Sequence, residues 1–325
     1  MSTLILEAPR ATALSKGWII SKRDDLLWFI GGNLLGYIAL LIAFKFGAIP
    51  RGIGLAWTLL LNNPHVFSTA TRAVFDSVER KRIGRLWFLL IPLCAVVPLS
   101  YPFLGILGYY WIVVFWGHYH VSKQHMGFVM LYKKKGQDRA DFQLDKNFTL
   151  ISLMLPLAYY VAVLLTHTNV PTLLTFIGIQ VASCAYYIRH CSTVRLPKTL
   201  LMLAAIPLSW AAFIYAATDT TSTDRLLVVI IATNIGHSFQ YLRLMWFHNH
   251  NRYAQSTGLL GFISSKRIYF FVAVFLMSAP SHILKEFGLI ASGIFAGILF
   301  FHYTVDAKLW RVRGDKELAS ALRLN

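Results

Sequence analysis

The chain has 325 residues, of which 56% are hydrophobic and only 14% charged, and its mean hydropathy is +0.55. Soluble domains carry roughly 25% charged residues, so a water-soluble globule, a disordered chain and a collagen-like repeat are excluded together. Net charge is +17, but the 31 Lys and Arg sit in short clusters between apolar runs. That pattern marks membrane topology rather than nucleic-acid binding. Cys94, Cys184 and Cys191 show no CxxC spacing, so neither a disulfide framework nor a structural zinc site is expected.

In chain order, residues 1–25 are mixed polar and lack a signal-peptide cleavage pattern. They read as a cytosolic arm. A helix needs about 20 apolar residues to cross a membrane. By that measure about ten spans are predicted, in an all-α helical bundle over 26–310. They are 26–48, 52–72, 85–103, 106–131, 148–166, 171–189, 199–217, 225–246, 267–285 and 288–309. Residues 311–325 are a basic cytosolic tail. The cations test this count. Arg80, Lys81, Arg82 and Arg85, then Lys133, Lys134, Lys135 and Arg139, then Arg189, Arg195 and Lys198 fall on one side. Arg243, Arg252, Lys266 and Arg267 join them, as do Arg311, Arg313, Lys316 and Arg323; Lys45 and Arg51 are the exceptions. The positive-inside rule then places both termini in the cytosol of a multi-pass protein, expected in a bacterial inner membrane.

Polar side chains inside spans are costly and point to function. His167 and His282 lie toward the outer side, whereas His65, His118, His120, His125, His190, His237, His248, His250 and His302 lie on the even-numbered spans or just after them. Measured from the outer ends, His65, His118, His237 and His302 share a depth of about 20 Å. A histidine layer able to hold metal is expected there. His120, His125, His248 and His250 are further candidate ligands. An HxH pair on a helix points to opposite sides, so His248 and His250 converge only if that segment is extended. His118 and His125, seven apart, share a face but are too distant to share one ion. Asp306 follows His302 by four residues on one helix face, as a ligand or as a carboxylate that orients one.

The string NNPHVFSTATRAVFD places Asn62, His65, Thr69, Arg72 and Asp76 on one stripe, with Pro64 breaking the helix before His65. In the eighth span, Asn234, His237, Gln240 and Tyr241 form a second stripe, and Trp246 and Phe247 suit an interfacial aromatic belt. Tyr241, Lys123 and Arg72 are the candidate catalytic groups. Asn62, Thr69, Asp76, Asn234 and Gln240 are the candidate supports of the ligands.

Imidazoles with a carboxylate suit non-haem iron best among redox metals, with copper and zinc behind it. The expected function is a metal-dependent oxidoreductase using O2 on a lipid-like substrate. Its pocket is expected to open toward the cytosolic leaflet. No nicotinamide or flavin motif is present, so electrons come from a partner protein. Histidine clusters on membrane helices give the chain an architecture that resembles the histidine-rich, membrane-bound di-iron hydroxylases and desaturases, with HYHVSKQH, HNHN and HYTVD standing in place of that family's HxxxH and HxxHH boxes. That resemblance implies a di-iron centre and a hydroxylase or desaturase activity. Two other readings remain: axial haem ligation in an electron-transfer protein, and a metal or proton pathway in a transporter.

Overall fold

The computed structural model describes residues 17–286 and 288–324. Most of the predicted N-terminal arm (1–16) and the side chain of His282 lie outside the described residues. No strand occurs among them.

Helix α1 (Lys22–Phe46) starts where Ser21 accepts from the Asp24 amide, and the Asp25 carboxylate accepts from the amides of Ile19 and Ile20 at 2.6 and 3.1 Å. Helix α2 (51–73) contains a π turn over Thr58–Asn62, where the Asn63 amide donates to the Thr58 carbonyl. The wider turn sits where Pro64 lacks a donor and its ring crowds the preceding turn. Short α3 (Ser77–Ile83) is capped by the Asp76 carboxylate.

The chain then forms one continuous helical stretch, Leu90–Lys135, broken at Gly105 (φ 66, ψ 178). We call its arms α4 (90–104) and α5 (106–135). Further on are α6 (Phe142–Thr166), α7 (Val170–His190), α8 (Leu196–Ala217), α9 (Thr223–Tyr253), α10 (Leu259–Ser265), α11 (Arg267–Glu286), α12 (Leu289–Leu309) and α13 (Lys316–Ala321). Contacts with α12 show that the chain reverses at Gly105. A Cβ on Gly293 would strike Pro98 and one on Gly297 would strike Cys94, so α4 runs antiparallel to α12. Trp116 stacks on Phe300 and His120 on Tyr303, so α5 runs parallel to it. Gly105 permits the reversal because it adopts a backbone conformation closed to other residues.

Among the described residues, five helical segments are long and apolar enough to cross a membrane: Lys22–Phe46, Ser77–Lys135, Phe142–Thr166, Val170–His190 and Leu196–Ala217. Large apolar side chains cover the outside, with Phe103 86% exposed and Leu165 77%. Such a coat suits lipid rather than water. Helix α9 lies at the centre and is buried over most of its length, which lets it carry histidines, Asn and Gln without presenting them to lipid.

The ion pairs gather at one end. Lys133 and Lys198 are fully buried with Asp138 and Asp145, and Lys198 Nζ lies 2.8 Å from Asp145 Oδ2. Two of the cations used above to orient the chain are therefore neutralised inside the protein. Two acids matched to two bases satisfy the rule that buried charges are paired. The tail is also not free: Leu318 and Leu322 of the α13 region are fully buried beside Phe128, Tyr132 and Phe247. Trp246 and Phe247 are buried by these packings, Trp246 against Phe270 and Phe247 against the tail, so they form no interfacial belt.

Candidate metal centre

Helices α2, α5, α9 and α12 each bring one imidazole to a common point. One ring nitrogen from each of His65, His120, His237 and His302 lies within 4.8 Å of the others, and all four side chains are buried. His65 Nε2 and His302 Nε2 are 3.0 Å apart. Ring centroids are 4.5 Å apart for His65–His237 and 4.9 Å for His120–His237. Among the described residues, His65 Nδ1, His120 Nε2 and both nitrogens of His237 have no hydrogen-bond partner. Buried polar atoms are nearly always satisfied, so four imidazoles grouped this closely with several unpartnered nitrogens suit a cation.

The four helices run parallel, and the layers on either side of the histidines show it. One turn C-terminal are Thr69, Gln124, Tyr241 and Asp306, each four residues beyond its histidine. Three of these form a chain of hydrogen bonds. Tyr241 donates to Asp306 Oδ1 at 2.6 Å, Thr69 Oγ1 lies 2.7 Å from the Tyr241 hydroxyl, and His302 Nδ1 lies 2.7 Å from Thr69 Oγ1. A carboxylate only accepts, so Tyr241 donates to it, Thr69 donates to Tyr241, and His302 Nδ1–H donates to Thr69. The lone pair of His302 is left on Nε2, facing His65. This is how an outer carboxylate fixes the tautomer of a ligating histidine. Asp306 thus stands behind the imidazole layer. Its Oδ2 is 3.6 Å from His302 Nε2, and no Lys or Arg lies within ion-pair distance of it among the described residues.

The remaining predicted ligands are placed elsewhere. Sequence depth pointed to His118, but α5 presents His120 instead. The face carrying Gly117, His120 and Gln124 packs on α12 and α9, and a Cβ on Gly117 would lie only 3.4 Å from the Tyr303 hydroxyl. His118 faces away, its Nε2 2.7 Å from the Leu153 carbonyl. His125, on that same face, contacts the Val121 carbonyl at 3.0 Å and Asn33 Oδ1 at 3.4 Å. Helix α9 does not become extended at its end, so His248 and His250 diverge. His248 meets Asn249 Oδ1 at 2.9 Å and His250 the Ser264 carbonyl at 3.0 Å.

Of the candidate catalytic groups, only Tyr241 borders the cluster, with its ring 4.7 Å from that of His65. Arg72 pairs with Glu79 at 2.6 Å and lies over Trp310, one layer removed. Lys123 is half-buried near the Tyr119 ring and away from the site. Thr69 supports His302 as described. Gln240 donates to the Phe29 carbonyl at 2.7 Å, and Asp76 caps α3 and pairs with Arg252. Asn62 and Asn234 line a cavity next to the histidines.

That cavity has a volume of about 240 Å³ and lies on the N-terminal side of the four histidines. Their C-terminal side is closed by the Thr69–Tyr241–Asp306 chain and by Trp310, whose ring is 5.9 Å from that of Tyr241. Sequence reading also missed Tyr303, whose ring stacks on His120 at 4.0 Å. Its place next to His302 was the available signal. No family model, curated protein or solved structure matches the chain.

Proposed function

We propose that this is a multi-pass protein of a bacterial inner membrane and a metal-dependent oxidoreductase. It crosses the bilayer ten times with both termini in the cytosol. The reversal at Gly105 supports counting α4 and α5 as separate crossings, and the ion pairs gathered at one end support the orientation. The function rests on one observation, the convergence of four imidazoles in a site removed from water.

His65, His120, His237 and His302 would hold one ion. Imidazole donors suit iron, copper and zinc, and iron is the proposed ion because it would supply activation of O2. A di-iron centre is not favoured, since His118, His125 and His248 are committed elsewhere. Rings about 5 Å apart also leave no slot for a haem plane between them.

Hydroxylation of a C–H bond consumes O2, two electrons and two protons and yields an alcohol and water. The electrons come from a redox protein, as the chain has no nicotinamide or flavin loop. The Tyr241 and Thr69 hydroxyls hold protons in a line that joins His302 to the accepting Asp306 carboxylate. Burial keeps reactive species from water. The substrate is an apolar molecule drawn from the membrane.

The test is elemental mass spectrometry on the purified full chain, with O2 uptake measured in its native lipids under a chemical reductant. About one iron per chain is expected, lost in the His65→Ala/His302→Ala variant together with O2 uptake. Metal-free wild type, or undiminished metal in the variant, overturns the proposal. Metal flux across vesicles independent of O2 would instead support a transporter.

A further inference from the structure

The cavity beside the histidines is lined from all four helices that carry them. Asn62, Gly117, Asn234 and Leu299 each lie three residues before a cluster histidine, which puts them one turn outward. The lining continues to Trp57, Tyr109, Val229 and Phe295, seven to eleven residues before the histidines. The cavity therefore extends outward over roughly 5 to 16 Å from the histidine layer, at about 1.5 Å per residue.

Its walls are mostly apolar, with Asn62, His118, Thr233 and Asn234 adding polar side chains. Trp57 is 9% exposed, and its indole Nε1 has no hydrogen-bond partner among the described residues. The π turn matters here. In a plain α-helix, Trp57 and His65 would be about 80° apart around the axis, and the extra residue of a π turn closes most of that offset. The same irregularity that accommodates Pro64 thus places the unpaired donor at the outer end of a space whose inner end, at Asn62, lies one turn from His65. A buried N–H without a partner is costly, and an acceptor supplied by a ligand removes that cost.

We infer that this cavity is the substrate site, and that it takes an apolar chain or ring carrying an oxygen acceptor. Trp57 Nε1–H binds the oxygen, and the hydrocarbon end faces His65, His120, His237 and His302. This rests on the metal-centre reading for the chemistry, but not for the binding. An apolar cavity of about 150 Å³ holds benzene, so 240 Å³ holds about ten non-hydrogen atoms. That suits the terminal segment of a larger apolar molecule, or a whole eight-carbon ketone. The substrate then reaches the histidines from the side opposite Tyr241 and Asp306, so protons and hydrocarbon approach by separate routes.

The experiment uses full-length protein in nanodiscs, an eight-carbon aliphatic diazirine as photoprobe, and peptide mass spectrometry. Saturable adducts are expected on the peptides carrying Trp57, Tyr109 and Phe295. They should be lost in Ala296→Phe and in Val113→Phe, two independent ways of filling the cavity. Excess 2-octanone should compete about fivefold better than n-octane, and Trp57→Phe should remove that preference. Adducts confined to lipid-facing residues such as Phe103, or unchanged in a folded filled variant, overturn the site. Equal competition by the two probes overturns the role of Trp57. Metal content of the same samples separates the two readings: adducts without metal sink the oxidoreductase and keep the site, while metal without adducts does the reverse.

Discussion

His237→Leu separates a metal centre from a chance meeting of buried rings, because only a metal centre makes the stability difference depend on metal. His237 is fully buried, and neither ring nitrogen has a partner among the described residues. Leaving a buried polar group unsatisfied costs about 1–3 kcal/mol. Leucine removes both polar atoms at similar volume. In the presence of a strong chelator the variant should therefore be more stable than wild type by about 1–3 kcal/mol. With metal the difference should move toward wild type by about 2.7 kcal/mol. At free metal a thousand times Kd, binding stabilises wild type by about 4 kcal/mol. Even a lost outer-shell partner weakens metal sites by up to roughly a hundredfold, and a lost ligand costs at least as much. The variant then gains only about 1.4 kcal/mol from the same metal. The assay is thermal unfolding of both proteins in detergent, with chelator and with ferrous iron. Wild-type stability that ignores iron and chelator alike, with His237→Leu more stable in both, would refute the reasoning.

Three more outcomes follow from the same geometry. Thr69→Val breaks the chain from His302 to Asp306 and should weaken metal binding about 10–100-fold by metal titration, while Thr69→Ser keeps the hydroxyl and stays near wild type. Lys133→Met leaves Asp138 and Asp145 with one cation and should cost about 3–5 kcal/mol in chemical denaturation, partly recovered by adding Asp138→Asn. At Asp76, burial works to raise the carboxyl, but the Tyr253 hydroxyl, the Glu79 and Val78 amides and Arg252 together hold it below its usual 3.8. A lowered folded value means that its contribution is complete above pH 3.8 and is lost as pH falls through that lower value. Unfolding measured between pH 6 and 2 should show this loss in wild type and not in Asp76→Asn.

How far the site was legible follows from what one dimension encodes. Hydropathy and helix rise give depth along the membrane normal, so His65, His237 and His302 could be placed in one layer from their numbers alone. The i,i+4 relation likewise put Asp306 on the face of His302 and Thr69 on that of His65. Rotation about the helix axis is not encoded that way. His118 and His120 differ by about 3 Å in depth but point to opposite sides, and the packing of Gly117 against Tyr303 selects His120. The same holds for Asp306, whose role depends on Tyr241 arriving from another helix. The π turn before Pro64 is equally hidden, since a one-residue slip in register barely alters hydropathy yet swings Trp57 toward the cavity. Sequence alone determined the membrane class, the depth of the histidines and the side where charge collects, because these depend on summed transfer energies. Tertiary structure decided which imidazoles meet and where the empty space lies, because both depend on how helices turn against their neighbours.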